Sequence, residues 1–415
     1  MACFSPDMSF AFRWRDATRP AVRGAGYRPV LGAVLCALAL PVSASAQPAH
    51  DVAPTEFVEA FRQIRARYAE PVDERTLIEN AIRGMVRSLD SHSEYFDATT
   101  YDQLRRDTAG VFGGIGVEVA MEEGVLRIVD VFEDTPAFRA GLRAGDSITH
   151  LDAAPVAAWT LEQAIGRARG EPGSRIVLTV LRRGQARPAT LTLERAIVQS
   201  RSVEFARIEA GYGHLGISVF NQRTPHEALA ALAAASRGDG VLKGLVLDLR
   251  DNPGGSLRAA VAVCSLFLKD AALIVSTESA SPQSRMQLFA DARRHARAAE
   301  PELLAALQEM PVAVLVNEQS ASAAEIVAGA LQDHGRARVI GTRTFGKGSI
   351  QLVLPLVRGA AIKLTAARYR TPGGRLIEGL GIVPDLAVER TSEDDDPQLA
   401  RAIETLRQSA FAISH

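Results

Sequence analysis

Ser322 and Lys347 are the residues whose types and setting allow covalent chemistry. Ser322 sits in Ser320-Ala321-Ser322-Ala323-Ala324-Glu325, between an apolar run, Val312 to Val316, and a second apolar run that continues with helical spacing through Leu331. A strand, a turn of small residues and a helix put a hydroxyl at a helix start, where unsatisfied backbone N–H groups favour negative charge. Lys347 lies between Gly346 and Gly348, residues that permit close backbone approach, so a tight turn can carry its amine to the same point. A serine without a neighbouring base is inert. A lysine amine serves as that base only where desolvation favours its neutral form. The pair therefore predicts a serine nucleophile with a lysine general base, the lysine covered by Phe345, the strand through Val353 and the helix after Ser322.

A second stretch completes such a site. Asp248-Leu249-Arg250-Asp251-Asn252-Pro253-Gly254-Gly255 follows an apolar run and precedes a helical one. Its glycines leave backbone N–H groups free to point into a cleft, as stabilising a developing oxyanion requires. Alone this is a common strand-to-helix turn. The lysine loop, Gly341 to Gly348, has phosphate-loop spacing, but Gly348 replaces the hydroxyl residue that binds magnesium and a strand follows where a helix is needed. Nucleotide binding is therefore excluded. Neither a Gly-x-Ser-x-Gly elbow nor a His-Glu-x-x-His metal motif occurs. His334 falls at the far end of the helix after Ser322, about three turns away. A triad with a distant histidine stays open, with His92 and His214 as the other candidates.

The elements that must position these residues form a layered α/β core. From Tyr212 onward strands and helices alternate: Gly213–Phe220, His226–Ala235, Leu242–Leu249, Leu257–Leu268, Leu273–Thr277, then the strand before Ser322, with Ala337–Gly341 and Ala360–Arg370 beyond. Pro282 to Met310 is charged and helix-prone and reads as a surface insertion or lid, solvated more often than functional. Leu399, Ile403 and Leu406 give a short terminal amphipathic helix after an acidic linker. Upstream, Asp51 to Thr108 reads as helices, with Phe57, Phe61, Ile64 and Tyr68 on one stripe and Ile78, Ile82, Met85 and Leu89 on another. Leu89 to Phe96 reads as a capping turn, and His92 within it as structural.

The 415 residues allow two or three domains, and 47 basic against 48 acidic residues leave no electrostatic footprint for nucleic acid. A basic region before the apolar run Val30 to Val42, followed by Ala44-Ser45-Ala46, reads as an export signal, with Met1 or Met8 as the start and an uncleaved membrane anchor as the minority alternative. Cleavage after Ala46 would leave Cys264 as the one cysteine and no internal disulfide. Neither a metal nor a cofactor is expected.

Gly110 to Ile197 resembles a PDZ domain. Gly114-Ile115-Gly116-Val117, the turn from Thr135-Pro136-Ala137 to Ala140-Gly141-Leu142, and Gly145-Asp146-Ser147-Ile148 stand in PDZ order. Such domains add a peptide as a strand to a sheet edge and receive its terminal carboxylate on loop N–H groups, here those of Gly114, Ile115, Gly116 and Val117. A dinucleotide loop would need a helix after the glycines, where a strand is expected.

The whole chain resembles the C-terminal processing peptidases, tail-specific serine proteases with a PDZ domain and a Ser-Lys dyad. The motifs are Leu-Asp-x-His-Ser-x-Tyr, the PDZ set, Asp-Leu-Arg-x-Asn-Pro-Gly-Gly, Ser-Ala-Ser-Ala-x-Glu, Phe-Gly-Lys-Gly-x-x-Gln, Tyr-x-Thr-Pro-x-Gly-Arg and Gly381-Ile-Val-Pro-Asp385. By motif, the resemblance implies Ser322 as nucleophile, Lys347 as base 25 positions later, Gln351 as the residue that positions the lysine, and an oxyanion hole from Ala323 with Gly254 or Gly255. Glu325 reads as a structural carboxylate. Ala324 stands where the family often has a second serine. The implied organisation is an export signal (1–46), a helical N-terminal region (47–108), an inserted PDZ domain (109–197), a crotonase-like protease core (198–390) containing the 282–310 insertion, and a linker with a terminal helix (391–415). The implied activity is capture of protein C-terminal tails and cleavage near their ends in the bacterial periplasm, without ATP or metal. An adaptor protein and a homodimer joined through the helical ends remain open, as do broad tail-specific degradation and, with less support, an inactive PDZ scaffold.

Overall fold

The structure is a computed structural model that describes residues 53–185, 187–209, 211–237, 242–295, 301–390 and 396–413. The export signal read at 1–46, with Cys3 and Cys36, and residues 391–395 of the acidic linker lie outside the described residues. The chain divides into two units, one ending at Val72 and one running from Asp73 to His415.

The described part of the first unit is the helix Ala53–Arg67. Phe57 and Ile64 of its predicted stripe, and Tyr68 just beyond it, are exposed, and Phe61 is half-buried.

In the second unit, the helix Glu74–Arg87 begins at Asp73, whose carboxylate accepts the Arg75 and Thr76 N–H groups. Ile78, Met85 and Leu89 of its predicted stripe are exposed, whereas Val86 is buried. The segment after it departs from an all-helical prelude. Asp90 accepts the N–H groups of His92 and Ser93, closing a turn, and Glu94–Phe96 then forms a strand paired antiparallel with Ala361–Arg370. Local sequence could not show this strand, because its partner lies far along the chain.

The PDZ-like part is a sheet in which Val117–Glu122, Val125–Val131, Ser147–Leu151, Arg175–Leu181 and Ala189–Glu194 follow one another, with Val117–Glu122 at the open edge. Along Arg175–Leu181 every second side chain is buried, the period-two pattern of a sheet with one covered face. Those residues pack with Leu126, Ile128, Ile148 and Leu151 in a core of their own. Gly116 has φ +84°, and a Cβ there would lie 2.3 Å from Cβ of Thr135, so only glycine lets this loop close against the following turn.

The larger core is a six-stranded sheet. Val203–Glu209 pairs antiparallel with Tyr212–Ile217, after which Gly244–Asp248, Val312–Val316, Ala337–Gly341 and Leu386–Ala387 add in parallel. Its central strands are buried on both faces, as their unbroken apolar runs require. Each Val or Leu fully buried there contributes about 1.5–3 kcal/mol. The helices Thr224–Arg237, Leu257–Phe267 and Ala323–Asp333 cover one face, and Pro397–Ile413, longer than expected, covers the other through Ala402 and Leu406.

The segment 282–310 is not a solvated insertion. Gln287–Phe289 pairs with Leu273–Glu278, and Ala290, Ala292 and Leu307 join the main core, while residues 296–300 are outside the described set. Its charges face outward while the spaced apolar residues between them go in. Among the described residues, no helix is long and apolar enough to cross a membrane.

Candidate active site

Ser322 begins the helix Ala323–Asp333 with φ +54° and ψ −111°. For a residue with a side chain this is a strained conformation, costing on the order of 1–3 kcal/mol, which persists only where its surroundings enforce it. The surroundings do so from two sides. Ala321 donates its N–H to the Asn252 carbonyl at 2.9 Å, and the Ser322 N–H donates to Oε2 of Glu325 at 2.7 Å.

Glu325, fully buried, gathers four donors. Oε2 also accepts the Lys347 N–H at 2.9 Å, and Oε1 accepts the Gly346 N–H at 2.7 Å and the Thr344 hydroxyl at 2.5 Å. The two contacts to Oε2, 2.7 and 2.9 Å, bound the distance between the backbone nitrogens of Ser322 and Lys347 at under 6 Å. Burial nonetheless pushes the Glu325 carboxyl above its ordinary range, because its partners are neutral N–H and O–H groups. Lys347 itself is half-buried, and among the described residues its amine forms no ion pair or hydrogen bond. Phe345 does not cover it as the sequence suggested, being 65% exposed. The Phe345 N–H is fixed on the Ser320 carbonyl, and the ring turns outward.

The glycine turn reaches the same point. A Cβ on Gly254 would stand 2.7 Å from Cβ of Ser322 and 2.8 Å from the Ala323 nitrogen, so the bare backbone of Gly254 lies against the turn that carries Ser322. Gly254 has already given its N–H to Oδ1 of Asn252 at 2.8 Å, and Asn252 in turn donates to the Ile217 carbonyl. The charged residues of this turn face away from the site. Asp248 accepts from His214 Nε2 at 3.0 Å and from Arg250, whose Nη1 reaches Asp396 and Gln398 at the start of the terminal helix.

The Gln351 amide bonds Ser349 and Thr365, and no hydrogen bond from it to Lys347 is formed among the described residues. The Thr365 N–H also donates to the Ser93 hydroxyl, so the Asp90 turn braces the strand behind the lysine. Ser320 is a turn residue: its hydroxyl donates to the Leu249 carbonyl at 2.7 Å and accepts the Asn317 N–H at 2.9 Å. His334 bonds the Leu273 carbonyl and His214 is held by Asp248. No contact of His92 with Ser322 is formed among the described residues. Tyr369 is a buried residue whose place sequence reading missed: its backbone N–H donates to the Gly348 carbonyl, beside Lys347, at 2.7 Å. Its place in the Tyr-x-Thr-Pro motif was visible, but nothing in local spacing says that this strand meets the lysine loop. Among the described residues no group of His, Cys, Asp and Glu converges to hold a metal ion.

A groove of about 770 Å³ runs between the open edge Val117–Glu122 and the helix Leu161–Ala168. Gly114, Ile115, Gly116 and Val117 line it together with Ile165 of that helix and Val203 and Phe205 of the larger core.

This architecture has recognisable relatives. Residues 211–388 match the model of peptidase family S41, residues 113–193 that of the PDZ domain, and residues 42–100 that of the activating protease CtpB N-terminal domain. The chain is 41% identical over 336 residues to a carboxy-terminal-processing protease of Bartonella bacilliformis, covering 80% of this chain and 74% of that protein. It is 33% identical over 358 residues to the carboxy-terminal processing protease CtpB of Bacillus subtilis, covering 85% and 71%. A solved structure described as an S41 protease of Bacteroides fragilis shares the fold at TM-score 0.52 and 17% identity, over 84% of this chain and 96% of that one. With this similarity along most of both chains, the protein belongs to the carboxy-terminal processing proteases of peptidase family S41, serine-type peptidases that here carry a PDZ domain.

Proposed function

We propose that this protease captures the C-terminal tails of proteins in its PDZ groove and cleaves them nearby through Ser322, with Lys347 as general base. The observation that carries this reading is the shared Glu325 oxygen, which holds the backbones of Ser322 and Lys347 side by side. In the acylation step, Oγ of Ser322 bonds to the scissile carbonyl carbon and its proton passes to Nζ of Lys347. The carbonyl π pair moves onto oxygen. The amine then returns the proton to the leaving nitrogen as the peptide C–N bond breaks. The Ala323 N–H is one donor to the oxyanion. The Gly254 N–H is occupied by Asn252, so the second donor is assigned to Gly255, with Gly254 supplying the room. Gln351 acts through Ser349 and Thr365, fixing the strand that follows the lysine.

The open edge at Val117–Glu122 suits an added peptide strand, and the loop Gly114–Val117 lies at the end of the groove where its carboxylate would arrive. Ser322→Ala should lower hydrolysis of a peptide with a free C-terminal carboxylate by several orders of magnitude, with the fold intact by circular dichroism. Substantial cleavage by the folded variant would remove Ser322 from the mechanism. Sequencing the products of the wild-type reaction checks tail specificity, since a processing protease gives one cut and a degradative one many.

A further inference from the structure

The glycine turn at the site is held by a residue that neither attacks nor accepts a proton. Asn252 is fully buried. Its Oδ1 accepts the Gly254 N–H at 2.8 Å, its Nδ2 donates to the Ile217 carbonyl at 2.7 Å, and its backbone carbonyl accepts the Ala321 N–H at 2.9 Å. The first bond alone is an Asx-turn, which an aspartate would close equally well. The second requires an amide, because an ionised carboxylate has no proton to give the Ile217 carbonyl. The third fastens the turn to the residue before Ser322. One residue thus joins the strand Tyr212–Ile217, the glycine turn and the turn that carries Ser322.

The consequence falls on Gly255. The Gly254 carbonyl accepts the Phe220 N–H at 2.8 Å, and a planar trans peptide aims the N–H on its other side, that of Gly255, the opposite way. Among the described residues that N–H has no acceptor. A Cβ on Gly255 would stand 2.1 Å from the Phe220 oxygen, and one on Gly254 2.8 Å from the Ala323 nitrogen, so the backbone fits closely on both sides.

We propose that Asn252 is the positioning residue of the oxyanion hole, holding the Gly254–Gly255 peptide against the Ser322 turn so that the Gly255 and Ala323 N–H groups serve one oxygen. The proposal rests on the serine reading above and deepens it. Asn252 touches no reacting atom and moves no proton; it acts through the two glycines. Donors that are oriented beforehand stabilise a developing oxyanion because nothing has to reorganise as the charge appears.

The test uses the full chain, a tail peptide as substrate and a peptide boronic acid, whose tetrahedral adduct on Ser322 places an oxygen where the oxyanion forms. Asn252→Ala should lower kcat by about 10- to 100-fold and weaken the boronic acid by a similar factor, with KM for the tail peptide unchanged. Asn252→Asp keeps the shape and the acceptor for Gly254 but not the donor for Ile217. It should lose kcat in the same way, which keeps the test open should Asn252→Ala fold poorly. Wild-type kcat in a folded variant overturns the proposal, and so does a loss that lies in KM alone or a boronic acid affinity equal to wild type. A boronic acid that binds Ser322→Ala as tightly as wild type would overturn the serine reading and the proposal with it, so that variant tells the two failures apart.

Discussion

Asp248 and Glu325 are both carboxylates withdrawn from water in the same layered core, and each is saturated with hydrogen bonds. Their partners differ. Burial raises the Asp248 carboxyl, but His214 and the Arg250 guanidinium more than reverse it and bring it to about 2. Glu325 has only backbone N–H groups and a threonine hydroxyl, which offset burial incompletely, so its carboxyl stays above the ordinary range. The difference separates two uses of a buried acid. At Asp248 a cation is fixed in place, and through Arg250 the start of the helix Pro397–Ile413 is fastened to the sheet. At Glu325 the acid organises backbone alone. An amine that is to accept a proton must not be held as an ammonium by a carboxylate. Glu325, whose hydrogen bonds all come from neutral donors, forms no ion pair with Lys347.

The comparison breaks most readily at Glu325. Glu325→Ala leaves the Ser322, Gly346 and Lys347 N–H groups without their partner and frees a strained turn. Peptide hydrolysis should fall by about 100-fold or more in molecules that remain folded, since small displacements of a nucleophile and its base carry penalties of that size. Arg250→Ala should do the opposite, lowering the unfolding temperature while folded molecules keep kcat within a few-fold. Equal loss of kcat in the two variants would contradict the division.

A smaller effect sharpens it through pH. Asp248 has a folded value of about 2 against an ordinary 3.8, so its ionisation contributes stability that is full above about pH 4 and lost as pH falls toward 2. The difference amounts to about 2 kcal/mol at most. Glu325 has the reverse sign: its folded value is raised, so its ionisation costs stability as pH rises from the unfolded value through the folded one. Acid unfolding followed by fluorescence should therefore lose part of its pH dependence between 4 and 2 in Asp248→Asn. An unchanged acid limb in that variant would show that the His214 and Arg250 contacts do not stabilise the native state.

Much of the core was legible because its signals are local. Val312–Val316 is a continuous apolar run, Leu257–Phe267 is apolar but for Arg258 and Ser265, and Arg175–Leu181 alternates strictly in burial. Ser322 could be placed at a helix start by the same means. What escaped depends on distant partners. Glu94–Phe96 and Gln287–Phe289 are three-residue strands that exist only because another strand accepts them. The charges of 282–310 hid the few apolar residues that bury it. Phe345 looked like a cover for Lys347 because it is aromatic and adjacent, yet backbone bonding sets its direction. Neither the four donors on Glu325 nor the bond from Tyr369 to the lysine loop could be read from spacing, since each joins segments distant in the chain.

The central claim is that Lys347 acts as a neutral base on Ser322. Its most direct measurement is the rate of peptide hydrolysis by folded Lys347→Arg beside Lys347→Ala. Arginine keeps a cation and most of the length but cannot offer a neutral amine, so both variants should fall to the same background, several orders of magnitude below wild type. Activity in Lys347→Arg, or complete loss of activity on replacing His92, His214 or His334 alone in a folded protein, would contradict the account.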